Sequence, residues 1–372
     1  MSKRTTTILA TGDITFRGAD PETITAGVAG KLGAADATIG HVETPYTLHP
    51  QRTGVNQSQV ADPALLRGLE LCGIDIATLA GNHIWDAGEP GLVDTIDWLD
   101  AHGIARTGAG RTLDDARRMA LVERSGVKIG VLSYNCTGPR DGWATSNKPG
   151  TAYVHVITHY DLDHDCPGGA PSVYTFPTYP SLAAFEADVR AARGACDILV
   201  VALHKGILHR PIVLADYEVP LSRAAIDAGA DVVVGHHAHV LRGIEMYRGK
   251  PIYHGLGNFI LPSTRNAKAD GHPQDFMARR TRLYDFEPIS DAYRFHPDAR
   301  FSLVAKIEVE AGAGLRAKFI PLLIDEMAVP HVVSRDAGGE EVFAYVRHIS
   351  KAAGLSADFA WEGDEVVVSA AG

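Results

Sequence analysis

The 372-residue chain has only four cysteines, at positions 72, 136, 166 and 196, and no CxxC pair among them. That spacing offers neither a zinc knuckle nor a disulfide framework, so the expected compartment is the cytoplasm, with reduced thiols. No apolar run approaches membrane-spanning length, and the amino-terminal Ile8-Leu9-Ala10 is too short for a signal-peptide core and lacks a cleavage site. No membrane role is therefore expected. Positive charge is also scarce, with 35 Lys and Arg against 45 Asp and Glu, a net charge of −10. That balance argues against nucleic acid or an anionic membrane as the partner and counts mildly against gripping a long polyanion. Internal repeats, low-complexity tracts and obvious linkers are missing too. What remains is an ordinary globular composition, 45% hydrophobic and 22% charged, with ample core. Length fits one large domain or two, and nothing in the chain specifies an oligomeric state.

The stretch from Asp231 to Asn258 organises the rest. Val232-Val233-Val234-Gly235 is apolar without alternation, as suits a strand buried on both faces of a helix-covered sheet. It runs into His236-His237-Ala238-His239, where ligands of such sheets bind, beyond the strands' carboxyl ends. With an extended backbone, His237 and His239 can turn both imidazoles toward one ion.

Other buried strands end in the same way. The stretch from Thr7 to Thr11 leads to Gly12-Asp13, and an apolar run ends at His41-Val42-Glu43-Thr44-Pro45. Ile74 to Ala80 precedes Gly81-Asn82-His83, and Ile198 to Leu203 precedes His204-Lys205-Gly206. Helical spacing over 63–72, 89–102, 181–194, 215–229 and 339–354 alternates with these strands, which predicts right-handed crossovers and a largely parallel sheet. Ser302 to Glu310 and Leu315 to Leu323 read as antiparallel strands of a carboxyl-terminal extension. Gly108-Ala109-Gly110 lacks a third glycine and reads as a plain turn.

Two segments break the rhythm. Residues 135–180 show no helical period and predict a lid, with His155, His159 and His164 in surface or lid roles and Trp143, Tyr174 and Phe176 facing a pocket. Residues 261–300 carry Arg265, Arg279, Arg280, Arg282, Tyr284, Phe286, Tyr293, Arg294 and Phe295, a density that suits an anionic or aromatic small molecule. The pocket mouth is expected between these inserts.

The strand ends together supply carboxylate, amide and imidazole but no thiolate, a donor set for Mn²⁺, Fe²⁺ or Zn²⁺ as one or two ions. His83 is then placed as a general acid or charge stabiliser.

These residues resemble the CapA family of capsule and poly-γ-glutamate synthesis, which is similar to the calcineurin-like metallophosphatases. The resemblance rests on Gly12-Asp13 with Arg17, Glu43 before Pro45, Gly81-Asn82-His83 with Asp86 and Gly88, and His204 with Gly206. His237-Ala238-His239-Val240, Glu245 and Leu256-Gly257-Asn258-Phe259 complete it, so that it covers about residues 6 to 260. It implies an α/β sandwich of two mixed sheets flanked by helices, taken as a single domain over 1–372. It implies Asp13, Glu43, Asn82, His204, His237 and His239 as metal ligands and His83 as the catalytic histidine, with Arg17 and Glu245 around the site. This chain departs from the pattern at Thr15 (His in the phosphatases), His41 (Asn), Lys205 (Trp) and Ala238 (Pro). Lys205, if desolvated, and His254 are added acid–base candidates. The resemblance implies a metal-dependent hydrolase acting on a small anionic or peptide-like substrate. Thr15, Lys205 and the extra histidines speak for an alternative, an epimerase or carbon–carbon lyase. A non-catalytic polymer-handling protein is the least favoured reading.

Overall fold

A computed structural model describes residues 5–51, 53, 59–162, 171–263, 286–310 and 314–372. Two mixed sheets lie face to face. The first runs Asp358–Glu362, Glu365–Ser369, Gly314–Ile324, Phe301–Glu310, Thr5–Ile14, Ala37–Val42, Ile76–Thr78 and Ala105–Thr107, in that spatial order. The second runs Ile244–Tyr247, Lys250–Tyr253, Val232–His236, Ile198–His204, Val127–Asn135 and Ala120–Arg124. In the first sheet parallel pairs run from Thr5–Ile14 out to the Ala105–Thr107 edge and antiparallel pairs fill the other half, while in the second a parallel centre is flanked by antiparallel edge pairs.

Strand periodicity explains the layering. In Ile198–His204, Ile198, Val200 and Ala202 join the core between the sheets, while Leu199, Val201 and Leu203 meet the outer helices. Ile8 and Ala10 likewise face the inner core, and Leu9 faces the helices over the first sheet. Helix Gly88–Ala101 covers that first sheet with Leu92, Ile96 and Leu99, each fully buried. Each such side chain contributes about 1.5–3 kcal/mol by leaving water. Helices Tyr179–Arg193 and Glu218–Ala228 cover the second sheet.

The expectation of irregular structure throughout 135–180 needs correction. Val156–Asp161 pairs with Ser172–Pro177 as an antiparallel hairpin, because both runs are rich in β-branched and aromatic residues. Tyr174 and Phe176 are exposed on it, and Trp143 stacks on Tyr153 with ring centroids 4.2 Å apart. His155 is half-buried and His159 exposed, whereas His164, Arg265, Arg279, Arg280, Arg282 and Tyr284 lie outside the described residues. The carboxyl-terminal hairpin Asp358–Glu362 and Glu365–Ser369 extends the first sheet, an addition the patterning did not predict. Among the described residues, no helix is long and apolar enough to cross a membrane.

Two close approaches position the site. A Cβ on Gly12 would lie 2.1 Å from the carbonyl oxygen of Gly257, so glycine alone lets the first strand press against Leu256-Gly257-Asn258. Asp13 then pairs in register with Asn258 on one side and His41 on the other.

Candidate metal centre

The carboxyl ends of parallel strands from both sheets meet at one rim. The first sheet delivers Asp13, His41 and Glu43; the second delivers His204 and His236, which are register partners. Ligating atoms of Asp13, His41, Glu43 and His204 all lie within 4.8 Å of one another, and all four residues are buried. Nδ1 of His204 is 2.9 Å from Nε2 of His41, which in turn lies 3.5 Å from Oε2 of Glu43. His239 brings Nε2 to 3.9 Å from Oε1 of Glu43. His41 and Glu43, two apart on an extended chain, point to the same side.

The donor set fits a divalent cation on two grounds. Both carboxylate oxygens of Glu43 are buried without a hydrogen-bond partner, an arrangement that is expensive unless a cation satisfies them. Three imidazoles, those of His204, His236 and His237, are in addition held neutral, as ligation requires. Burial pushes His204 well below its usual range, with His237 and His41 adding to the effect. Burial also lowers His236, helped by His41, and pushes His237 down to about 3, helped by His239. Burial alone would raise Asp13, but hydrogen bonds from His236 and His239 and their proximity outweigh it and hold the carboxyl well below the usual range. Those contacts measure 3.1 Å from His236 Nδ1 to Oδ1 and 3.3 Å from His239 Nδ1 to Oδ2.

His237 and His239 reach the site differently from the extended arrangement expected. Both sit at positive φ, 88° and 55°, and their ring centroids are 6.3 Å apart. His237 turns Nδ1 to 3.2 Å from His204 Nε2, while His239 places Nδ1 2.8 Å from Asn258 Oδ1. Left-handed backbone at non-glycine residues is costly and is typically found at functional sites. Asn82 presents Oδ1 at 2.6 Å from His204 Nε2. His83 is held through Nδ1, 2.8 Å from Asp86 Oδ2, with its side chain 17% exposed. Burial raises the Asp86 carboxyl, opposed by the adjacent His83.

Other expected residues lie elsewhere. Lys205 follows His204 on a strand and therefore points to the opposite face, where Nζ is 3.3 Å from Glu218 Oε2 and 3.3 Å from His254 Nδ1. His254 continues that buried network to Glu245 at 3.3 Å, and Glu245 pairs with Arg223. The acid–base roles expected of Lys205 and His254, and a place around the metal for Glu245, thus have no geometric support. Arg17 lies 3.5 Å from Gln59 Oε1. Conversely, the reading of the sequence did not include His41 and His236 among the ligands. Strand parity with Glu43 was the available signal for His41, and no comparable signal pointed to His236, whose ring stacks on His41 at 4.3 Å.

Curated relatives share this region. Residues 266 long align at 28% identity with a "probable polyglutamine synthesis accessory protein" of Mycobacterium tuberculosis, over 70% of this chain and 58% of that one. The "PGA biosynthesis protein CapA" of Bacillus subtilis is 28% identical over 61% of this chain and 54% of its own length. The "capsule biosynthesis protein CapA" of Bacillus anthracis is 26% identical over 62% and 51%. The chain thus spans little more than half the length of these relatives. Among solved structures, a calcineurin-like phosphoesterase of Bacillus subtilis superposes over 93% of this chain and 99% of its own, at 13% identity and a TM-score of 0.40, too loosely to inform function. The family model described as "bacterial capsule synthesis protein PGA_cap" matches residues 7–263, the span that carries every strand end at the rim, and the chain belongs to that family.

Proposed function

We propose that this protein is a metal-dependent hydrolase acting on a small anionic or peptide-like substrate. One observation carries the reading: Asp13, His41, Glu43 and His204 converge within 4.8 Å while both Glu43 oxygens lack hydrogen-bond partners. A divalent cation held there would polarise a substrate oxygen and make a water acidic enough to attack near neutral pH. The chain's own residues supply the rest. Asn82 and His237 flank His204 and orient its ring. Asp86 accepts the Nδ1–H of His83 and stabilises its imidazolium, so that a proton taken up at Nε2 can pass to a leaving group at the solvent-reached side. The peptide-like substrate class agrees with the polyglutamine synthesis in the name of one relative.

A second reading, an epimerase or carbon–carbon lyase, is favoured by the excess of imidazole. Both Asp13 oxygens are engaged by His236 and His239, a pairing able to take and return a proton at an acidic carbon. It loses the support expected from Lys205 and His254, which sit in the other network.

Metal analysis of protein purified without chelator tests the first reading. At least one Mn, Fe or Zn per chain is expected, with the metal lost in Glu43→Gln. Absence of transition metal together with activity that survives chelation would overturn it, and solvent deuterium entering a substrate carbon without cleavage would establish the second.

A further inference from the structure

Among the described residues, six non-glycine positions have positive φ: Ser125, His209, His237, His239, Arg248 and Ala328. Ser125 and Arg248 each sit in the tight turn between two paired strands, and Ala328 lies in the turn after Ile324. The other three are histidines, and they meet. His209, at φ 55°, donates its backbone N–H to the carbonyl of Ala238 at 2.9 Å, between the two histidines of the centre. Its ring lies 6.0 Å from that of His239, and Phe295 touches both, at 5.0 Å from His239 and 6.0 Å from His209.

The loop that carries His209 is built with unusual care. Gly206, at φ 101°, starts it, and a Cβ there would meet Glu218 Oε2 at 2.6 Å. Arg242, fully buried, spans the loop from below, donating to the carbonyls of Val213 at 2.6 Å and of Ile207. Glu218 holds the Arg242 guanidinium at 3.7 Å and accepts from Ala215 N at 2.7 Å. A buried ion pair is weak evidence for stability but good evidence for a fixed geometry. Here the geometry fixed is that of residues 207–213.

We propose that His209 contacts an oxyanion of the substrate, a phosphate or carboxylate oxygen, and that Arg242 is the positioning residue that presents it. The proposal rests on reading the centre as an active site. An imidazole beside His239 offers an N–H donor at the rim, and the exposed Arg210 follows it in the chain. The charge of Arg210 is also felt at His296, which burial pushes below its usual range, with Asp298 opposing and Arg210 adding to the effect. An imidazole donor with a guanidinium next to it in the chain suits a negatively charged oxygen.

The test uses the full chain with inorganic phosphate and glutarate as probes, measured by calorimetry alongside metal content. His209→Asn is the informative variant, because Asn tolerates the left-handed backbone. Expected is wild-type metal content with at least about tenfold weaker binding of one anion, which also tells phosphate from carboxylate as the preferred source. Arg242→Met is expected to weaken the same anion, the double variant to fall no further, and Arg242→Lys to restore part of the loss. In ¹³C-histidine-labelled protein, the resonance missing from His209→Asn should shift when that anion is added. Unchanged affinity for both anions in His209→Asn would overturn the proposal. So would loss of metal in that variant, which would make His209 a ligand, or failure of the wild type to bind either anion. Wild-type protein that lacks metal yet shows the His209 shift in chelator would sink the hydrolase reading and leave this one standing.

Discussion

Two buried polar clusters stand back to back across the second sheet, and they are built on opposite logic. His204 belongs to one and Lys205, the next residue, to the other, since consecutive strand residues face opposite ways. On the outer face, Arg223, Glu245, a neutral His254, Lys205, Glu218 and Arg242 form one chain at contact distance, with each carboxylate between nitrogen groups. At the rim, five imidazoles surround Asp13 and Glu43, and the two Glu43 oxygens have no donors. The first cluster partners its carboxylates with cations of its own and leaves only the Nε of Arg242 without a partner, whereas the second leaves both oxygens of Glu43 bare and calls for a cation. Similar burial therefore signals scaffold in one case and chemistry in the other, and whether the carboxylates have partners, not burial, separates them.

The largest expected effect comes from breaking the outer-face cluster. Glu218→Gln strands Lys205 and Arg242 without their shared carboxylate and should destabilise the protein by about 3–5 kcal/mol in urea unfolding, with metal still bound. A neutral result would mean that the network is not a scaffold. Next is pH. His254, pushed down to about 4 by burial and by Lys205, and His237, at about 3, are neutral in the fold but protonate below about 6.5 when unfolded. Unfolding then takes up protons, so stability falls as pH drops from about 6.5 toward 4, by roughly 3 kcal/mol between pH 7 and 5. Denaturant midpoints of metal-free protein at both pH values check this, and His254→Gln should make the slope shallower while His204, His236 and His237 keep the rest. A flat profile would contradict the neutral imidazoles.

Glu43→Gln sharpens the contrast, being the same change of side chain as at Glu218. It should stabilise the metal-free protein by about 1 kcal/mol by removing an unsatisfied buried charge, while abolishing the stabilisation that added Mn²⁺ or Zn²⁺ gives the wild type. Thermal unfolding with and without metal reads both, and a loss of stability like that of Glu218→Gln would erase the distinction between the clusters. The smallest effect is expected at His41→Asn, which exchanges an imidazole for a shorter amide. About tenfold weaker metal binding, measured by competition with a chelator, should result, and unchanged affinity would remove His41 from the ligand set.

Much of the arrangement could be read beforehand because buried parallel strands announce themselves. Val232-Val233-Val234 and Ile198 to Leu203 are apolar on both faces, and the residues that follow such runs occupy the rim by geometry alone. Parity could have gone further. It would have sent Lys205 away from His204 and added His41 to Glu43. The left-handed turns at His237, His239 and His209 were not legible, since nothing in a His-Ala-His triplet requires positive φ. The Val156–Asp161 hairpin was hidden in a stretch rich in Pro, Gly and His.

The residues by themselves determined the elements: local apolar patterning selects strand or helix and so fixes which side chains end each strand. Only the tertiary structure decided which ends would meet. Bringing Asp13 beside Asn258, and His41 and Glu43 beside His204, depends on sheet order and on close approaches such as Gly12 against Gly257. Those contacts join residues up to hundreds of positions apart, and packing of the whole sandwich sets them where no local preference can.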